Sequence, residues 1–279
     1  MSTLDAVLAQ YEKNKQATGG NSNKVSQEDR LKKYFTTVLP KGVKTLEKRI
    51  RILPTKDGST PFVEVKFHEI QVDGKWVKLY DPAQEGKRSP LNEVKEGLEM
   101  SGVASDKELA KDYRSKKFYI VKVIDRENEQ DGVKFWRFKH NAKGEGTLDK
   151  IIPIWRNKGD ITDPEKGRDL ILTLSLTKSG NGKEYTTISS VIPEDAGTLH
   201  TDSEIAKEWL EDELMWSDVY AKKPEDYLEM VAKGETPKWD VETKKWVSNS
   251  TEEVTIGSKN TPVTEDPQDE EEVDSDLPF

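Results

Sequence analysis

The sequence predicts a mainly β chain with helices inserted between the strands, an α+β protein, and three features of the residue order carry that reading. Short runs alternate apolar and polar residues, two joints carry hairpin turn chemistry, and helical periodicity is confined to segments between and after those runs. Ser2 or Thr3 caps a first helix whose apolar positions Leu4, Val7, Leu8 and Tyr11 fall at helical spacing, with Asp5 completing a capping box from Ser2. Gly19 to Asn23 then form a flexible linker, so residues 1–23 read as a detachable arm. Arg49-Ile-Arg-Ile-Leu53 alternates and stops at Pro54, and residues 62–72 and 75–80 flank Asp73-Gly74, a strong two-residue hairpin signal. Residues 91–112 are helical with a break at Gly102. Residues 116–124 and 133–139 pair across a polar loop, and a helix opening at Thr147 is expected to end or kink at Pro153. Residues 170–177 and 184–191 make a hairpin around Ser179-Gly180-Asn181-Gly182. Six to eight short strands of this kind fit a closed or partly closed small barrel better than a parallel sheet. Residues 201–231 are helical, with Ile205, Trp209, Leu210, Leu214, Tyr227 and Leu228 as packed positions, and Trp239 and Trp246 bracket a small hairpin.

Composition narrows the function. Of 279 residues (31.7 kDa), 33% are apolar and 35% charged, which leaves one modest core plus solvated segments. No apolar run is long enough to span a membrane, and the start Met-Ser-Thr-Leu-Asp lacks the basic and apolar regions of a signal peptide, so a cytosolic protein without a membrane partner is expected. With Cys at 0, a nucleophilic thiol, a disulfide and a thiolate-bound metal are excluded. The net charge of −9 hides an asymmetry. Residues 1–193 hold 36 Lys and Arg against 28 Asp and Glu, residues 194–250 hold 7 against 15, and residues 251–279 hold 1 against 10. A basic body joined to acidic C-terminal segments points to a polyanion-binding surface and a mobile competitor for it.

Catalysis finds little support. His68, His140 and His200 lie in separate segments without a metal or phosphate motif, His68 reads as a surface or half-buried strand residue, and Asp112 and Asp125 are the sort of carboxylates a metal-dependent nuclease would use. A stronger pattern interleaves cations with aromatics: Tyr113-Arg114-Ser115-Lys116-Lys117-Phe118-Tyr119 and Lys134-Phe135-Trp136-Arg137-Phe138-Lys139. Unpaired bases stack on flat side chains while phosphates need nearby cations, and one pleated face can meet both needs. Alternation equally sends about half of these aromatics into a core. Arg51, Lys66, Lys178 and Lys183 are further cations on neighbouring strands or tips. The end of the chain, Asp274-Ser-Asp276-Leu277-Pro278-Phe279, places a ring beside a free carboxylate after an acidic run, a compact plug for a basic-rimmed pocket on another protein.

Ile50-Arg-Ile-Leu-Pro-Thr55, Pro61-Phe62, Gly74-Lys-Trp76, Val133-Lys-Phe-Trp-Arg-Phe138 and Asp160-Ile-Thr-Asp-Pro-Glu-Lys-Gly167 stand in an order that resembles the T-even-type bacteriophage single-stranded DNA-binding (helix-destabilising) proteins. The resemblance implies a five-stranded OB-fold core at residues 24–196, an arm at 1–23 for self-association, an acidic helical segment at 197–250 and a disordered tail at 251–279 that recruits replisome proteins. It implies a non-enzymatic protein that coats single-stranded DNA in replication, recombination and repair, in the cytoplasm of an infected bacterium. The DNA contacts it implies are Arg51, Tyr113, Trp136 and Arg137, with Phe118, Tyr119 and Tyr185 nearby. The family holds zinc through one His and three Cys. Here His68 stands at the His position, but Asp81, Ser89 and Asn92 replace the cysteines, so neither metal nor cofactor is expected and helix packing must hold residues 81–115. The basic run that the family carries before Ser-Thr is missing at Met1-Ser2-Thr3, which leaves Lys13 and Lys15 to serve. An annealing factor, an RNA binder on the same barrel, a nuclease and an acidic adaptor are the rival readings.

Overall fold

A computed structural model describes residues 31–248 apart from 142, 179–181 and 183. The arm at 1–23 and the tail at 251–279 lie outside the described residues. Eight strands form one sheet. β1 (Tyr34–Phe35) runs parallel to β6 (Val133–Lys139), and β6 pairs antiparallel with β5 (Ser115–Asp125). β5 is long enough to serve two partners along its other edge. Its first part pairs with β3 (Val63–Val72), itself joined to β4 (Lys75–Tyr80), and its last residues pair with β2 (Thr45–Ile52). From β2 the ladder passes to β7 (Arg168–Lys178) and β8 (Glu184–Ala196). The β3–β4 hairpin forms as its turn chemistry requires: Asp73 and Gly74 take φ of 52° and 73°, the left-handed pair of a type I′ turn.

The mainly β architecture with inserted helices is therefore present, but the ladder is open. Among the described residues β8 pairs only with β7, so hydrogen bonds do not close a barrel. The sheet still curls, helped by a register shift between Thr173 and Leu174 that bends the last hairpin. Phe35 of β1 and Ile188 of β8, from opposite ends of the strand order, share one core with Ile50, Val123, Trp136, Phe138 and Leu172. At that seam the Leu39 N–H donates to Thr186 Oγ1 at 3.1 Å. α3 (Thr147–Lys158) packs on this core through Ile151, Leu148, Ile154 and Trp155. It continues past Pro153 to Lys158 rather than ending there. Pro153 is exposed, so only one solvent-side hydrogen bond is forfeited, while Ile154 and Trp155 gain burial beyond it.

Residues 81–115 carry α1 (Pro90–Met100) and α2 (Ala104–Asp112), separated at Gly102, whose φ is 76°. Helix packing is only part of what holds them. His68, expected at the surface or half-buried, is wholly buried on β3. Its Nδ1 lies 2.7 Å from the Tyr113 carbonyl, an acceptor, so Nδ1 donates and Nε2 faces Asp81 Oδ1 at 3.5 Å. Asp81 also accepts from the Ala83 N–H at 3.1 Å and from Asn92 Nδ2 at 3.1 and 3.2 Å, with Ser89 buried beside it. Burial opposes ionisation of Asp81, yet the neighbouring His68 ring and the Ala83 N–H outweigh it and hold the carboxyl well below the usual range. The four positions that match zinc ligands thus meet in space, but they do not fit that ion. Asn92 presents hydrogens to Asp81, and no thiolate is present to complete a tetrahedral set. A hydrogen-bonded polar knot ties β3, the segment after β4, and α1 to the end of α2.

The C-terminal segment wraps the rest. α4 (Ser203–Glu211) places Trp209 against Leu53, Ile124 and Val133. α5 (Trp216–Val219) and Tyr220 cover the outer side of β3, β5 and β6, and α6 (Glu225–Ala232) packs on α1 and β4. β9 (Pro237–Asp240) and β10 (Lys245–Ser248) form the expected small hairpin, whose Trp246 ring meets Tyr227 edge-on at 4.8 Å.

Two substitutions test this packing. Trp136 is 0% exposed, so Trp136→Ala should cost about 3–5 kcal/mol in denaturant unfolding; a loss under about 1 kcal/mol would contradict its placement. Asp125 is buried against Lys134 Nζ at 2.9 Å. Burial raises its pKa, but the Lys134 and Asn128 hydrogen bonds prevail and lower it overall. A depressed carboxyl stabilises the fold above its unfolded pKa and ceases to as pH falls through the folded value. Asp125→Asn should cost about 1.5–3 kcal/mol at pH 7, and that gap to the native chain should narrow below about pH 4. A gap independent of pH would refute it.

Candidate nucleic-acid interface

The cation and aromatic ladder of β5 and β6 has no open face. One side of these strands lines the curled core with Val121, Val123, Trp136 and Phe138. The other side, with Phe118, Ile120 and Phe135, is covered by Leu214, Trp216, Val219 and Tyr220. Sequence alternation expects one wet face, and the C-terminal segment removes it. Four residues expected to touch DNA are buried instead. Trp136 and Phe118 are core side chains, the ring of Trp136 lying 4.5 Å from that of Phe138 and the ring of Phe118 5.6 Å from that of Phe67. The guanidinium of Arg137 lies 4.5 Å from the Tyr220 ring and 5.1 Å from that of Phe67, a cation clamped among rings that fastens the C-terminal segment to the sheet.

Arg51 is the fourth. Its Nη2 donates to the carbonyls of Asp163 at 2.9 Å and Gly197 at 2.8 Å, and its Nη1 to Asp169 at 3.3 Å. Burial draws its pKa down, opposed by Asp169. The stretch from Asp160 to Gly167 is the loop that makes this clamp. A Cβ on Gly167 would stand 2.6 Å from Arg51 Nη2 and 2.4 Å from the Asp163 carbonyl, so only glycine fits. What the sequence offered as a contact and a motif is one structural unit.

Other expected residues are at the surface but engaged. Lys116 and Lys139 both bind Glu69 at 2.7 Å. Burial of Glu69 opposes its ionisation, and the two lysines overcome that and keep its pKa low. Lys117 pairs with Glu64 at 2.8 Å, which raises the lysine pKa. Tyr113 is half-buried, its phenol pushed up by burial and then by Asp112. Lys66 and Arg114 are exposed. Lys183 and the expected partner-binding residues Asp274, Asp276, Leu277, Pro278 and Phe279 lie outside the described residues. Asp125, weighed as a nuclease carboxylate, is committed to Lys134.

Of the aromatics expected at the interface, Tyr185 is exposed and Tyr119 lines a recess, and these form two stations. Tyr185, 50% exposed, stands on β8 across from Thr177, next to the exposed Lys178, which reaches Glu184 at 3.3 Å. Tyr119 is half-buried at the rim of the curled core and lines a recess of about 160 Å³ with Lys139, His140, Asn141, Leu148 and Ile152. Its hydroxyl lies 3.3 Å from His140 Nδ1. A recess of this size holds roughly five waters, which a flat base can displace while its phosphate meets Lys139. From sequence His140 was weighed only as an isolated histidine, and Leu148 and Ile152 were not singled out. Their only signal was the lone His after β6, because the approach of α3 to Tyr119 is tertiary.

No curated protein matches the chain. The family model described as gp32 DNA binding protein like matches residues 44–234, from the residue before β2 to the turn after α6. That span is more than half of the chain, and the chain belongs to this family of DNA-binding proteins, which is not an enzyme family.

Proposed function

We propose that the protein coats single-stranded DNA during phage replication, recombination and repair, in the cytoplasm of the infected host, without catalysing a reaction. The family match over residues 44–234 is the observation that carries this reading. The curled sheet, with β1 and β8 contributing to one core, supports an OB-type barrel whose last seam is made by side chains. Binding the unpaired form alone draws melted DNA away from duplex by mass action. Bases stack on Tyr119 and Tyr185, and phosphates meet Lys66, Arg114, Lys139 and Lys178. The arm links protomers, and the acidic tail recruits replisome proteins through Asp274, Asp276 and the terminal Leu277-Pro278-Phe279. At low salt that tail competes with DNA for the basic body, which suits the opposite charge of residues 1–193 and 251–279.

Titration with oligo(dT) at several salt concentrations is the test. Log K should fall with log salt by about 0.7 per phosphate contact, and Tyr185→Ala or Tyr119→Leu should each lose about 1–3 kcal/mol. Equal binding to duplex DNA, or full affinity in both variants, would overturn the reading. Deleting residues 251–279 should tighten DNA binding at low salt and abolish partner recruitment, and unchanged affinity would count against tail competition.

A further inference from the structure

Away from both stations, α1 and α2 enclose a cleft of about 510 Å³ lined by Lys95, Glu99, Lys107, Ala110, Lys111 and Arg114. The two helices are not basic overall, since α1 carries Glu93, Lys95, Glu96 and Glu99 and α2 carries Asp106, Lys107, Glu108, Lys111 and Asp112. The charges are sorted by face: four cations and one carboxylate line the cleft, and the other acids do not. Lys111 is held by Glu108 at 2.6 Å and Lys95 lies 4.0 Å from Glu99, whereas no carboxylate among the described residues lies within 4.0 Å of Lys107 or Arg114. Like charges gathered at one concave place repel, and an anion relieves the repulsion. The lining has no aromatic ring. Its ligand is therefore gripped by charge alone, not by stacking.

We propose that the α1–α2 cleft is a base-independent phosphate subsite for single-stranded DNA. This rests on the single-strand reading above and extends the strand's path beyond Tyr119 and Tyr185. Continuity favours DNA over an acidic peptide. Arg114 closes the cleft and is followed directly by Ser115, the first residue of β5, so the cleft opens at the start of the strand that carries Lys116, Lys117 and Tyr119. The end of α2 is fixed there, because the Tyr113 carbonyl is held by buried His68. A strand leaving the Tyr119 station meets a cationic cleft and needs no base of a particular kind there.

The full-length chain carrying Lys95→Gln and Lys107→Gln tests this, with oligo(dT) and an abasic deoxyribose-phosphate oligomer as probes. Each lost contact should flatten the salt slope by about 0.7, so the pair should weaken oligo(dT) binding about 25-fold at 0.1 M salt and hardly at all at 1 M. The abasic oligomer should lose at least as much, since stacking contributes nothing to it. Glu99→Gln should act in the opposite direction and tighten binding, a gain that misfolding cannot produce. An unchanged salt slope in the double variant, or no gain from Glu99→Gln, overturns the subsite while leaving the single-strand reading intact. Tighter DNA binding by the double variant also overturns it, and points to an acidic segment of the chain as the occupant. If the unaltered chain ignores oligo(dT), the parent reading fails instead.

Discussion

Arg137 lies in a cage made by β3, β5 and the C-terminal segment, with the Tyr220 ring as its nearest aromatic neighbour. A guanidinium taken out of water keeps its charge only when rings, carbonyls or carboxylates replace the lost hydration. Tyr220 supplies a face to Arg137 and donates its hydroxyl to the Phe135 carbonyl at 3.3 Å, while Lys122 holds Asp212 at 2.9 Å one strand away. These polar contacts fasten an acidic segment over a strand pair that is already packed on its other side. Because both faces of β5 and β6 are covered, their buried rings present no surface to solvent.

The strand and helix order was legible because local signals agree with the final structure at most joints. Asp73-Gly74 requires two left-handed residues and obtains them, and Gly102 separates two helices where the periodicity breaks. Pro153 misled because a local penalty of one hydrogen bond was weighed without the burial of Ile154 and Trp155, which only tertiary contact reveals. The site was harder to read. Trp136 lies on the side of β6 that alternation equally assigns to the core, whereas nothing in the run from Val133 to Lys139 encodes that residues 212–220 return to cover the side that carries Arg137. Arg51 misled in the same way, since its partners Asp163, Asp169 and Gly197 lie more than a hundred positions away. Tyr185 is exposed because it lies close to the turn of a hairpin.

His68, Asp81, Ser89 and Asn92 show how one spatial arrangement can serve different chemistry. A zinc ion needs soft, deprotonated ligands, and here a carboxylate that accepts from an amide and a backbone N–H, and lies 3.5 Å from an imidazole nitrogen, joins the same segments. Directional hydrogen bonds in a dry site can fix geometry as a metal does, provided each donor has its acceptor. The fixed end of α2 then sets the position of Arg114 and the basic cleft behind it.

Photocrosslinking of 5-iodouracil-substituted single-stranded DNA to the full-length protein, with adducts located by peptide mass spectrometry, addresses the central claim most directly. Adducts on Tyr119 and Tyr185 are the result the account predicts. Adducts concentrated on Trp136 or Phe118 would mean that the covered faces of β5 and β6 open to DNA, and would contradict it.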